Sequence, residues 1–92
     1  MLKSKFEPLL LLLQGIAAAG TLYEVLGLSP TSSAQEVRRA YRQRAACWHP
    51  DKWHCASPEQ QRLAASTFER IQHAHDVLGD EQSRRVYDCG LR

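Results

Sequence analysis

The amino-acid sequence predicts an all-α domain in which two long antiparallel helices are flanked by two short ones. Apolar residues recur at helical spacing in two long segments, residues 33–48 and 58–78. No segment of strand length alternates apolar and polar residues, and the chain has no Asn-Gly or Asp-Gly hairpin turn. Only a short loop separates the two helical patterns, which favours antiparallel packing.

Length and charge limit the possible functions. A chain of 92 residues allows one domain with a thin core. The formal net charge of +2 does not favour a nucleic-acid binder. Basic residues are nevertheless concentrated in one predicted helix, at Arg38, Arg39, Arg42 and Arg44. We expect this local charge, rather than the net charge, to steer a partner.

The three cysteines do not suggest a disulfide framework. Cys47, Cys55 and Cys89 are odd in number and irregular in spacing, so free thiols in a reducing compartment are expected. We therefore expect the protein in the cytoplasm, with the nucleus as a further option.

Residues 1–20 form an apolar extension ahead of the predicted domain. Lys3 and Lys5 precede the apolar run Leu9–Leu13, which loosely fits a secretory signal, but polar, Gly and Pro residues interrupt the pattern. The run is too short to span a bilayer, so no membrane association is expected. We interpret it as a leader helix, Leu9 to about Ala18, that packs on the domain or on a partner. Secretory or mitochondrial targeting stays open.

The first two helices have recognisable boundaries. Thr21 with Glu24 predicts the start of a short helix whose left-handed end residue is Gly27. The second helix is predicted from about Ser33 to Trp48. Its buried stripe is formed by Val37, Tyr41, Arg44 and Trp48. Because Arg44 stands on this stripe, we expect its stem to follow the core edge with the guanidinium outside.

The tripeptide His49-Pro50-Asp51 separates the two long helices. Proline disfavours the helical conformation of the residue before it, so the second helix must end near Trp48. His49 and Asp51 are then left on an exposed bend, where recognition or chemistry is expected. Trp48 is assigned to the core, whereas Trp53 either packs on the loop or lies exposed at an interface.

The third helix is predicted from Pro58 to Leu78, after a strong start sequence at residues 57–60. Its expected core face consists of Ala64, Phe68, Ile71, Ala74, His75 and Leu78. Gly79 ends it. Asp80 is expected to cap a last helix, residues 81–88, whose Val86 and Tyr87 face the body.

Six motifs now follow one another in order and in helical phase. They are Leu22–Gly27, Arg38–Arg42, Trp48–Lys52, Phe68–Ile71, Val77–Leu78 and Arg84–Asp88. Together they resemble the J-domain of DnaJ-type (Hsp40) co-chaperones, a four-helix module. The resemblance covers Thr21 to about Asp88 and leaves residues 1–20 as an extension and 89–92 as a tail.

The resemblance implies a function in protein folding. J-domains bind heat shock protein 70 chaperones and stimulate their ATP hydrolysis, which promotes capture of client polypeptides, and they are not enzymes themselves. The resemblance implies no cofactor or metal, a monomer, and the partner-binding residues His49, Pro50, Asp51, Lys52, Arg38, Arg39, Arg42, Phe68 and Arg84. The alternative is a J-like interaction scaffold without ATPase stimulation.

Three residues depart from the family pattern. Arg44 replaces an aliphatic residue and His75 an aromatic one, usually Tyr, so both are expected to weaken the core. Were His75 buried and neutral, stability would fall on acidification. Glu69 replaces what is often Lys, which would reduce the basic surface.

Other functions are less well supported by the residue spacing. Zinc accepts the residue types found at Cys47, His49, His54, Cys55, His73 and His75, but these residues form neither a Cys-x2-Cys knuckle nor a helical i, i+4 His pair. Nucleophilic catalysis by Cys47 with His49 and Asp51 lacks any residues that resemble an oxyanion hole. Nucleic-acid binding is disfavoured because the arginines lack interleaved aromatic residues.

Overall fold

The computed structural model describes residues 20–90. This part of the chain contains four α-helices and one 3-10 turn. They are α1 (Leu22–Val25), α2 (Ala34–Trp48), the 3-10 turn Pro50–Lys52, α3 (Pro58–Leu78) and α4 (Glu81–Gly90). The predicted all-α architecture with a long α2–α3 hairpin is confirmed. The predicted leader helix lies outside the described residues. Within residues 20–90, no helix has the length and hydropathy needed to cross a membrane.

Reciprocal capping fixes where the two long helices begin. The Ser33 hydroxyl accepts from the Glu36 N–H at 3.1 Å, and the Glu36 carboxylate accepts from the Ser33 N–H at 3.3 Å. Ser57 and Gln60 form the same pair of bonds at the start of α3. Each box satisfies helix N–H groups that would otherwise lack a partner.

The core lies between α2 and α3, with α1 packed over it. Its buried apolar side chains are Tyr23, Val25, Leu26, Val37, Ala40, Trp48, Trp53, Ala64, Ile71, Ala74 and Leu78. Phe68 was expected among them but is only half-buried. Thr67 is buried instead, and its hydroxyl donates to the Leu63 carbonyl at 2.7 Å, which offsets the cost of burying a polar group.

Arg44 lies at the edge of the core, as its position on the apolar stripe predicted. A Cβ at position 27 would lie 2.5 Å from its guanidinium, so the tip of Arg44 covers Gly27. Gly27 also has φ +71°, a left-handed conformation that side chains beyond glycine disfavour. The left-handed backbone therefore favours glycine at position 27, whereas the flexible Arg44 tip can move aside for a Cβ.

His75 is not buried, which corrects the expected core face of α3. Its side chain is 33% exposed, and its ring stacks on Tyr41 of α2 with the ring centroids 4.0 Å apart. The helical spacing placed His75 on the core side of α3, but His75 lies at the edge of the buried stripe, where a side chain is partly open to solvent.

Helix α4 is held by a cluster of hydrogen bonds around a buried tyrosine. The Arg84 Nε donates to the Tyr23 hydroxyl at 2.9 Å, and that hydroxyl donates to Asp88 Oδ1 at 2.5 Å. Arg84 Nη2 also donates to the carbonyls of Pro30 and Ser32, in the segment that leads into α2. One side chain thus joins α4 to both α1 and the start of α2.

The predicted inward orientation of Val86 is wrong. Val86 is 68% exposed. Arg84, Tyr87 and Asp88 form the inner face of α4, at positions i, i+3 and i+4, and a residue two positions from Arg84 points to the opposite side. The helix also continues to Gly90, two residues beyond the predicted end.

We expect Tyr23→Phe to lower the free energy of unfolding by about 1–2 kcal/mol near neutral pH, because two hydrogen bonds to charged groups are lost. Burial and the bond to Asp88 raise the pKa of Tyr23 above its usual 10.0. The unfolded chain therefore loses this proton first. The stabilisation is complete below about pH 10 and is lost as the pH rises through the raised pKa.

Urea unfolding of wild type and Tyr23→Phe at neutral and alkaline pH measures this effect. The difference between the two proteins should shrink as the solution becomes alkaline. A difference that is the same at both pH values would contradict the assignment of the buried phenol to this cluster.

Candidate functional site

The bend between the long helices comprises residues 49–52 and is closed by local backbone bonds. His49 is extended, with φ −61° and ψ 134°, as expected before proline. The Lys52 N–H donates to the His49 carbonyl at 2.9 Å, and the Trp53 N–H donates to the Pro50 carbonyl at 3.0 Å. Helix α2 therefore stops at Trp48, and the chain turns through a single 3-10 turn.

The His49 side chain is oriented by two contacts. Its Nδ1 accepts from the Asp51 N–H at 3.2 Å, which places the proton of the neutral ring on Nε2. Its ring meets the Phe68 ring of α3 edge to face, at a centroid distance of 5.6 Å. Phe68, one of the predicted partner-binding residues, thus lies directly against the bend.

The Asp51 carboxylate is displayed to solvent. Its side chain is 91% exposed, and its nearest ion-pair candidate is His49 Nδ1 at 3.7 Å. Because that nitrogen is already the acceptor for the Asp51 N–H, the neutral imidazole does not neutralise the carboxylate. Asp51 is therefore free to accept a charge-assisted bond from outside.

Arg38, Arg39 and Arg42 form a basic strip on the exposed side of α2. No carboxylate of residues 20–90 lies within 4.0 Å of them. Arg38 and Arg42 are one turn apart. Arg42 precedes His49 by seven residues, nearly two full turns or about 10 Å along the helix. The basic strip and His49 consequently lie on the same side of α2.

The remaining predicted site residues lie in two different places. Lys52 is exposed at the end of the 3-10 turn. Arg84 lies apart from the bend, where its donors bond to Tyr23, Pro30 and Ser32. These bonds give Arg84 a role in stabilising the fold. Its role at an interface stays a prediction.

A tryptophan pair beneath the bend was not assigned from the sequence. Trp53 is buried, and its ring stacks on Trp48 with a centroid distance of 5.1 Å and an interplanar angle of 6°. Its indole N–H donates to the Cys47 carbonyl at 3.1 Å. The available sequence signal was the position of two aromatic residues directly on either side of the bend.

The ionisable groups of the bend lie at the surface. Among the described residues, no three His, Cys, Asp or Glu side chains come together as a metal-ligand set. An open groove of about 550 Å³ lies elsewhere, between α1, α3 and α4, and Glu69 and His73 are among its lining residues. The bend instead presents an exposed carboxylate and an oriented imidazole beside a basic strip, an arrangement suited to a protein partner.

Comparison with known proteins agrees with this description. A family model described as the DnaJ domain matches residues 21–88. The chain is 45% identical over 69 residues to the mouse protein named DnaJ homolog subfamily B member 3 and 38% identical over 66 residues to the Chaperone protein DnaJ of Mycoplasma genitalium. These matches cover 74% and 72% of this chain.

The relatives are much longer than the matched region. The match spans 27% of the mouse protein, 17% of the Mycoplasma protein and 13% of the rice DnaJ protein P58IPK homolog A, to which the chain is 44% identical. The family model covers most of this chain, and the His49-Pro50-Asp51 bend lies inside it. The chain therefore belongs to the DnaJ domain family.

Proposed function

We propose that this chain is a co-chaperone module that binds a heat shock protein 70 chaperone and stimulates its ATP hydrolysis. The observation that carries the proposal is the bend. It presents the exposed Asp51 carboxylate and an oriented His49 next to a basic strip that has no carboxylate within 4.0 Å among residues 20–90, in a chain of the DnaJ domain family.

The two parts of the surface act differently in this proposal. The basic strip attracts an acidic surface of the chaperone and sets the direction of approach, and Arg suits this role because its planar guanidinium matches carboxylate geometry. Because its three arginines are exposed, their contribution is screened by salt and falls mainly on the association rate.

The bend supplies the directional hydrogen bonds to the chaperone. Asp51 accepts a charge-assisted bond from the chaperone, and His49 Nε2 donates. Phe68 holds the His49 ring, and Pro50 fixes the backbone, so that little conformational entropy is lost on binding. The chaperone performs the ATP hydrolysis, and its clients are engaged by this chain only indirectly.

Substitution at the bend provides the direct test. We expect His49→Gln and Asp51→Asn each to reduce stimulation of single-turnover ATP hydrolysis by roughly tenfold to a hundredfold, the size of a lost bond to a charged group. Both side chains are exposed, so helicity and melting temperature should stay at wild-type values.

His73→Gln and Asp76→Asn are matched controls. They make the same chemical changes at exposed positions of α3 and should leave stimulation intact. If wild type binds the chaperone but does not stimulate it, the chain is a J-like scaffold. If the bend variants lose their fold as well as stimulation, the bend is not a recognition element.

Salt dependence tests the basic strip separately. We expect Arg38→Ala and Arg42→Ala each to raise the half-saturating concentration of the chain about two- to fivefold at low salt, the effect of one exposed charge pair. The variants should also respond less to added salt than wild type. Arg62→Ala, at an exposed position of α3, is the control. If Arg62→Ala raises the half-saturating concentration as much as Arg38→Ala and Arg42→Ala, the effect reflects net charge and not the basic strip.

A further inference from the structure

Two tryptophans enclose the bend in sequence and contact each other in space. Trp48 is the last residue of α2, and Trp53 directly follows the 3-10 turn, so that only residues 49–52 separate them. Their rings are almost parallel, with an interplanar angle of 6°, and both side chains are buried. The stack therefore joins the two ends of the bend.

Trp53 also caps α2. The last carbonyls of a helix lack an intrahelical partner, and the Trp53 indole N–H bonds to one of them, that of Cys47. The Trp48 indole nitrogen has no hydrogen-bond partner among residues 20–90, so Trp48 contributes through packing. Trp53 is thus the member of the pair that combines packing with a directional bond.

The other contacts that shape the bend are weak. They include two backbone bonds at a single 3-10 turn, the edge contact with Phe68, the exposed bond from the Asp51 N–H to His49 Nδ1 at 3.2 Å, and an exposed bond between His54 Nδ1 and the Asp51 carbonyl at 2.7 Å. Hydrogen-bond geometry is poor in 3-10 turns, and exposed backbone bonds open readily. The buried stack is the contact most able to resist such opening.

We infer that Trp53 is a positioning residue for the bend: by stacking on Trp48 and bonding to the Cys47 carbonyl, it holds His49 and Asp51 in the arrangement that the partner recognises. The inference rests on the proposed function. Trp53 itself is buried and does not touch the partner.

A loosened bend would lower the apparent affinity for the partner. When only a fraction of the chain has its bend in the competent arrangement, the apparent affinity falls by that fraction. Loss of the Trp53 contacts therefore raises the concentration needed for half-maximal stimulation. The maximal rate at saturation is retained, because binding selects the competent arrangement.

Two substitutions separate the contacts. Trp53→Phe keeps an aromatic ring against Trp48 but removes the indole N–H, whereas Trp53→Leu removes both. Leu78→Val and Leu78→Ala are controls for a small and a large general loss of core stability. Leu78 lies at the end of α3 farthest from the bend. All variants are compared at a temperature at which each is folded by circular dichroism.

Amide hydrogen exchange and single-turnover ATP hydrolysis are then measured on the full chain. We expect Trp53→Leu to speed exchange at Asp51 and Lys52, and to raise the half-saturating concentration about tenfold if one bend in ten stays competent. Trp53→Phe should be intermediate. The maximal rate should match wild type, and the Leu78 variants should show neither effect.

Two results would overturn the inference. One is that the Trp53 variants alter exchange and half-saturation no more than a Leu78 variant of equal melting temperature. The other is a reduced maximal rate with unchanged half-saturation. If Trp53→Leu does not fold, Trp53→Phe decides. If wild type fails to stimulate, the proposed function fails, and exchange at Asp51 and Lys52 alone decides whether Trp53 holds the bend.

Discussion

The restriction that Pro50 places on His49 governs the rest of this structure. A helix that continued past Trp48 would turn the α2–α3 hairpin into one long rod and leave the apolar faces of both helices unpaired. Because His49 is extended, α2 stops, the chain reverses, and α3 covers the core face of α2. The same restriction moves His49 and Asp51 off a helix face and onto the end of the hairpin. The fold and the proposed recognition surface therefore have one local cause.

The fold and the proposed recognition surface use different polar groups. At α4, Arg84, Tyr23 and Asp88 bond to one another, and these groups are at least partly withdrawn from water. At the bend and the basic strip, the charged groups are exposed and have no carboxylate–arginine pairing within residues 20–90. Exposed unpaired charges cost the fold little, since water solvates them. They also keep their full capacity for a partner, which a paired charge does not.

Helix boundaries were predictable from sequence because they depend on neighbouring residues. The Ser33 and Ser57 caps and the stop before Pro50 are all decided within four positions. The burial of individual side chains was less predictable, because it depends on which residues of other helices pack against them. Helix α4 brings Arg84 and Asp88 to the hydroxyl of buried Tyr23, and the chain reversal brings Trp53 onto Trp48. The tripeptide could be located from sequence, whereas the contacts that orient it could not.

The charge pattern of the surface also limits what can bind it. A uniformly negative partner such as a nucleic acid would be attracted by Arg38 and Arg42 but repelled by Asp51, which lies in the 3-10 turn beyond the end of α2. A protein partner can place carboxylates against the basic strip and a cation against Asp51 at once. Such a two-signed match works in only one direction along the helix, because reversal brings like charges together. The order of the basic strip and the bend along the chain would thus set the orientation of the bound domain. A partner that contacts both must present its acidic and basic groups in the matching order.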